Sequence, residues 1–110
     1  MSTAQENITG HAVTLADLLQ YQPGAVVSRT LVDRTVGTLT VFAFDEGQGL
    51  SEHSAPYDVT VQVLDGAVDV TIDGTAHRVT AGQIIIMPAN RPHALRAVER
   101  FKMLLFMIRG

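Results

Sequence analysis

His53, His93 and Tyr57 are the residues whose side chains could do chemistry together in this chain. A neutral imidazole offers a nitrogen lone pair that Zn, Fe, Ni or Cu accepts, and a phenol can act as an acid or donate a hydrogen bond. Read along a strand from His53, every second residue shares its face: Ala55, Tyr57, Val59, Val61 and Val63. That period groups Tyr57 with the histidine and turns Glu52, Asp58 and Gln62 away. Only a β-bulge would bring the neutral Gln62 carbonyl back as a ligand. His93 lies far along the chain, so any meeting of the two imidazoles depends on the elements that carry them.

Those elements read as β-strands. Thr14 followed by Asp17 looks like a capping box, with Leu15, Leu18 and Leu19 on one side of a short helix that stops before Pro23 and Gly24. From there the pattern is β: residues 25 to 32 and 38 to 44 are rich in Val, Thr, Leu and Phe, and in the second Leu39, Val41 and Ala43 alternate with Thr40 and Phe42. Asp65-Gly66, Asp73-Gly74 and Ala81-Gly82 then recur every eight residues. Asp-Gly pairs are strong hairpin signals, because both central positions accept positive φ. Val59, Val61 and Val63, then Val68, Val70 and Ile72, each share one strand face. Residues 84 to 87 and 101 to 108 are apolar strands, the second on both faces apart from Lys102. Short strands at this spacing imply an antiparallel sandwich or barrel.

Two stretches carry a family resemblance. Gly47 to Gly66 follows the spacing G-x5-H-x-H-x3-E-x6-G at Gly47, His53 and Gly66, with Ala55 and Val59 where a second histidine and a carboxylate would stand. Gly82 to Ala97 follows G-x5-P-x-G-x2-H-x3-N at Gly82, Pro88 and His93, with Asn90 for the turn glycine and Ala97 for the asparagine. Asn tolerates left-handed backbone, so that turn should survive. Over roughly residues 38 to 108 the chain thus resembles the cupin superfamily, as a small single-domain cupin with a degenerate first motif. The resemblance implies an all-β, antiparallel jelly-roll barrel, here with a short N-terminal helix. It also implies that His93 meets His53 inside the barrel, so that His53 and His93 are the candidate metal ligands.

A catalytic zinc normally has three protein ligands and a structural one four. Two imidazoles therefore need water, a substrate carboxylate or Tyr57 to complete a sphere. The alternative is a neutral pair, hydrogen-bonded to each other or to water in a metal-free barrel. The expected lining is Tyr57, Val59, Val61, Ala55, Ile86 and Met103, a small apolar cavity with one polar end. Arg91 and Arg96 flank His93 and either steer a carboxylate substrate or sit solvated at the rim. Met87, Met103 and Met107 read first as core; a copper site from Met and His would need their sulfurs to face the cavity. His11 and His77 read as solvated.

The 110 residues bound one domain, with residues 1–12 as a flexible segment and 13–110 as the barrel. A hydrophobic fraction of 46% with 17% charged residues argues against disorder. A net charge of -3 with scattered Lys and Arg leaves no basic stripe for nucleic acid. The absence of cysteine removes thiolate ligands, disulfides and thiol catalysis together. No leader pattern is visible and the longest apolar run is far short of the ~20 residues that cross a bilayer, so a cytoplasmic protein without membrane contact is expected. A last strand with two apolar faces needs a cover, and a second subunit is the simplest one, which predicts a homodimer. Three function classes follow: a small-molecule binder with a weakly held divalent metal, a metal-dependent dioxygenase, isomerase or decarboxylase, and a non-catalytic structural dimer.

Overall fold

A computed structural model describes residues 8–109. Among the described residues nine strands form two antiparallel sheets. The five-stranded sheet holds β1 (Val26–Arg34), β2 (Gly37–Phe44), β9 (Phe101–Ile108), β4 (Val59–Asp65) and β7 (Ile84–Met87), in that spatial order. The four-stranded sheet holds β3 (Gly49–His53), β8 (His93–Ala97), β5 (Ala67–Ile72) and β6 (Thr75–Thr80). The fold is all-β as expected, but the sheets do not join into a closed barrel. They stack as a sandwich of the double-stranded β-helix type, with β1, β7, β3 and β6 at the edges.

The three glycine turns divide by what they connect. Asp73-Gly74 closes a true hairpin, with Ile72 opposite Thr75 and both turn residues at positive φ, 50° and 81°. Asp65-Gly66 and Ala81-Gly82 instead carry the chain from one sheet to the other, β4 to β5 and β6 to β7. A hairpin keeps both strands in one ladder, whereas these corners hand the next strand to the facing sheet. At Gly66, φ is 77° and an added Cβ would sit 1.8 Å from the Arg100 carbonyl oxygen, so the corner accepts only glycine without rearrangement.

The expected N-terminal helix is a single 3-10 turn, Leu15–Asp17, and Thr14 makes no side-chain cap bond to it. Too few residues separate Thr14 from Pro23 to repay helix nucleation. The turn is held by tertiary contacts instead: Lys102 Nζ donates to the Ala16 carbonyl, and Tyr21 donates to Asp65. The Tyr21 ring lies 4.9 Å from Lys102 Nζ and 5.4 Å from the Arg100 guanidinium carbon. Burial and the Asp65 carboxylate, in that order, push the Tyr21 hydroxyl well above its usual range. Lys102 is therefore buried on the outward side of β9, against this segment. The cover expected from a second subunit is in part the chain's own N-terminal region. Of the flexible segment expected over residues 1–12, residues 1–7 lie outside the described residues; Ile8 and His11 close a turn. Among the described residues no helix is long and apolar enough to cross a membrane.

One inward face runs from solid core to cavity. Along β9, Phe101 stacks on Phe44 at 4.5 Å between ring centroids and Met103 is fully buried beside them, while Leu105 and Met107 reach the cavity. Along β4, Val63 and Val61 are core and Val59 is the first residue at the cavity wall. The residues that would have filled that end are what the site is made from.

Candidate functional site

The cavity, of about 380 Å³, lies between the sheets at the end away from Phe44 and Phe101. His53 is the last residue of β3 and His93 the first of β8, and the two are paired across the ladder. The register explains how both face inward. Leu50 pairs with Leu95 and His53 with His93, so three steps on β3 match two on β8. That extra residue is a β-bulge. Strict alternation would send Leu50 and His53 to opposite faces, yet both line the cavity.

The imidazoles meet edge to face, with Nε2 to Nε2 at 3.2 Å and the ring planes at 75°. His53 Nδ1 lies 2.7 Å from the Ser51 carbonyl oxygen. Only an N–H can satisfy a carbonyl, so the proton of neutral His53 sits on Nδ1 and its Nε2 presents a lone pair. His93 Nε2 then has two states: it donates to His53, or it also presents a lone pair. In the first state His93 Nδ1 is an acceptor without a partner, and that atom is buried and unpaired. In the second state Nδ1 carries the proton, equally without a partner, and both Nε2 lone pairs are free for a shared ligand. Burial first, and the neighbouring His53 second, hold the His93 imidazole below its ordinary pKa and favour the neutral ring that a ligand needs. The Arg91 backbone opposes this in part, although Nδ1 finds no partner in hydrogen-bond geometry.

These observations test the fit to a metal. Two nitrogens about 2.0–2.1 Å from one ion span roughly 3.3–3.4 Å when the angle between them is near tetrahedral, close to the distance observed. The pair therefore matches two ligands of one centre. Among the described residues no group of three His, Cys, Asp or Glu side chains could complete it. Asp58 Oδ1 accepts from the Ala89 N–H at 2.9 Å, which ties it to the β7–β8 turn, and Glu52 is exposed. Gln62 faces outward between the inward Val61 and Val63.

The other predicted site residues separate into two sets. Ala55, Tyr57 and Val59 line the cavity with the histidines, although they lie on the Ser54–Asp58 loop and the start of β4 rather than on one strand continuous with His53. Ala55 is fixed by its carbonyl, which accepts from the Asn90 N–H at 2.7 Å; Asn90 itself has φ of 62° and occupies the left-handed turn expected of it. Val61 and Met103 are not lining but core beneath it. Ile86 is a correction: it is 56% exposed on the outer side of β7, because the inward residue at that edge is Met87.

Sequence reasoning missed Phe42, Leu50, Leu95, Leu105 and Thr40 in the lining. Leu50 carried no signal without the bulge. Phe42 did, since it alternates with Val41 and Ala43, but the apolar set of β2 was the natural choice for the inside and it faces out. Met87 and Met107 are among the residues of the cavity wall. Arg91 pairs with Asp73 at 2.7 Å, and Arg96 projects from the face of β8 opposite His93 and Leu95; neither lines the cavity. His11 and His77 are exposed.

Comparison with known proteins places this geometry in context. Residues 40–109 match the cupin domain. A conserved protein of unknown function from Streptococcus pyogenes is 42% identical, with a TM-score of 0.90 over 96% of this chain and 93% of that one. A cupin superfamily protein from Desulfitobacterium hafniense superposes with a TM-score of 0.89 at 24% identity, covering 96% of this chain and 97% of that one. A cupin 2 conserved barrel domain protein from Leptotrichia buccalis is 39% identical, with a TM-score of 0.82 over 84% of this chain and 45% of that one. No curated protein matches the chain.

Proposed function

The chain belongs to the cupin family, and from that premise we propose that it binds a small molecule in the cavity between its sheets, beside a weakly held divalent transition metal on His53 and His93. The observation that carries this reading is the pair of Nε2 atoms facing each other at 3.2 Å in the wall of a mostly apolar cavity. His53 is oriented by the Ser51 carbonyl, and His93 by burial at the start of β8. When bound, Zn, Fe, Ni or Cu would supply Lewis-acid or redox chemistry to a ligand lying against it. The chain's own residues would hold the ligand's apolar body against Phe42, Leu95 and Leu105, and Tyr57 would donate a hydrogen bond from the loop. Two neutral imidazoles without a carboxylate make a low-affinity site, so water or the ligand would supply the remaining positions.

The metal-dependent enzyme is the second reading, supported by the same two Nε2 atoms at 3.2 Å, which a shared metal centre could take as ligands. We also propose a homodimer, supported by Ile84 and Ile86 standing exposed side by side on the edge strand β7. The test of the main reading is elemental analysis of protein purified without chelator, followed by titration with Zn, Fe, Ni and Cu. About one metal per chain, lost in both His53→Ala and His93→Ala, is the expected result. Wild-type protein that takes up none of the four ions would remove the metal from the reading, and leave ligand binding to be tested by itself.

A further inference from the structure

We propose that the ligand of this cavity is a small neutral molecule with a flat apolar body and a single hydroxyl or carbonyl head, and not a sugar, a phosphate ester or a polycarboxylate. The inference rests on the small-molecule reading above, taken for the cavity without its metal, and narrows it to a chemical class.

Charge is the first argument. Among the described residues no Asp, Glu, Lys or Arg side chain lines the cavity. The cations that sequence placed nearest to it are committed elsewhere. Arg91 is paired with Asp73, Arg96 projects from the opposite face of its strand, and Lys102 lies on the outward side of β9 against the Ala16 carbonyl. In the metal-free cavity an anionic ligand would therefore enter without a counter-charge from any of these side chains, and a buried unpaired charge is strongly disfavoured. A polyanion would multiply that cost.

Hydrogen-bonding capacity is the second. The polar side chains at the wall are the two histidines, Tyr57, Ser54 and Thr40, and the Thr40 hydroxyl already lies 3.5 Å from that of Thr30. For the Tyr57 hydroxyl no partner is found among the described residues. One head group can be satisfied between Tyr57 and the imidazole edge. A hexose carries several hydroxyls, and most would be stripped of water with nothing to pair with, each at a cost.

Size and surface complete the class. A volume of about 380 Å³ stands near the lower end of the roughly 300–1,000 Å³ that small-molecule sites span, which suits one ring and not two. Phe42, Met87 and Met107 in the wall are residue types that pack well against a flat apolar ring.

The experiment uses the full chain, treated with chelator, and four probes: 4-methylphenol, benzoate, citrate and glucose 6-phosphate. Affinity is read by calorimetry, and location by the imidazole NMR signals of His53 and His93. The expected result is saturable binding of 4-methylphenol at least tenfold tighter than benzoate, with both histidine signals shifted and no binding of citrate or glucose 6-phosphate. In Ala55→Lys, which adds a cation on the loop at the wall, benzoate should gain at least tenfold relative to 4-methylphenol. The wild-type comparison decides the matter even if that variant does not fold. Benzoate, citrate or glucose 6-phosphate binding as tightly as 4-methylphenol would overturn the class while leaving the cavity a ligand site. Failure of all four to bind, or binding that leaves both histidine signals unmoved, would overturn the class and the small-molecule reading together.

Discussion

Val59 and Ala55 stand at the two positions where the cupin motif carries a carboxylate and a second histidine, and both side chains reach the same cavity wall as His53 and His93. Restoring donors there should therefore complete a sphere that the present pair leaves half filled. Val59→Glu combined with Ala55→His is expected to tighten Zn binding at least tenfold, measured by competition with a chromogenic chelator; unchanged affinity would show that the four positions do not converge. Without metal the double variant should lose about 1–3 kcal/mol of stability in urea titration, since a polar group is buried unpaired. At this scale the sequence was legible where spacing decided the outcome. His53, His93, Ala55 and Val59 meet because motif spacing records their convergence. Ile86 did not, because a four-residue strand of three isoleucines and a methionine has no period to show which side faces in.

Strands and turns show where local pattern stops being sufficient. In β2 the apolar face, Val41 and Ala43, is buried on the outside, while Thr40 and Phe42 line the cavity. A strand covered on both sides has two interiors, and alternation cannot rank them. The Asp65-Gly66 pair likewise reads as a hairpin, and only the approach of the Arg100 carbonyl reveals a corner between sheets. Gly66→Ala should accordingly cost more than about 1 kcal/mol, beyond the ordinary penalty for leaving left-handed backbone, and lower the melting temperature. A second element-level prediction concerns pH. Asp45 joins the N-terminal segment to the end of β2, accepting from the Gly24 N–H at 2.6 Å, from the Glu46 N–H at 2.9 Å and from Arg100 at 3.1 Å. The Gly24 N–H foremost, then Arg100, then the Glu46 N–H hold its carboxyl below the usual aspartate value of 3.8. A depressed carboxylate stabilises the fold above its unfolded pKa, and that contribution disappears as pH falls below 3.8 through the folded value. Asp45→Asn should therefore be less stable than wild type at neutral pH, and the difference should shrink in denaturant titrations at the acid end.

For the whole molecule, the outward surface sets the expectation for assembly. Ile84 is 62% and Ile86 56% exposed on β7, whose far edge has no strand partner among the described residues. An open edge bearing apolar side chains is a place where chains pair. Ile84→Lys with Ile86→Lys is expected to shift the proposed dimer to monomer in sedimentation equilibrium, while the melting temperature stays within a few degrees; a wild-type monomer would refute the dimer. The order of strands has one more effect. β9 is the last strand in sequence, yet it occupies the centre of the five-stranded sheet, between β2 and β4. During synthesis every strand of the four-stranded sheet has left the ribosome once residue 97 emerges, whereas β1–β2 and β4–β7 remain two unconnected pairs until residues 101–108 follow. A nascent chain thus presents His53 and His93 before it has the Leu105 and Met107 wall that encloses them, and its binding site comes into being with the final strand.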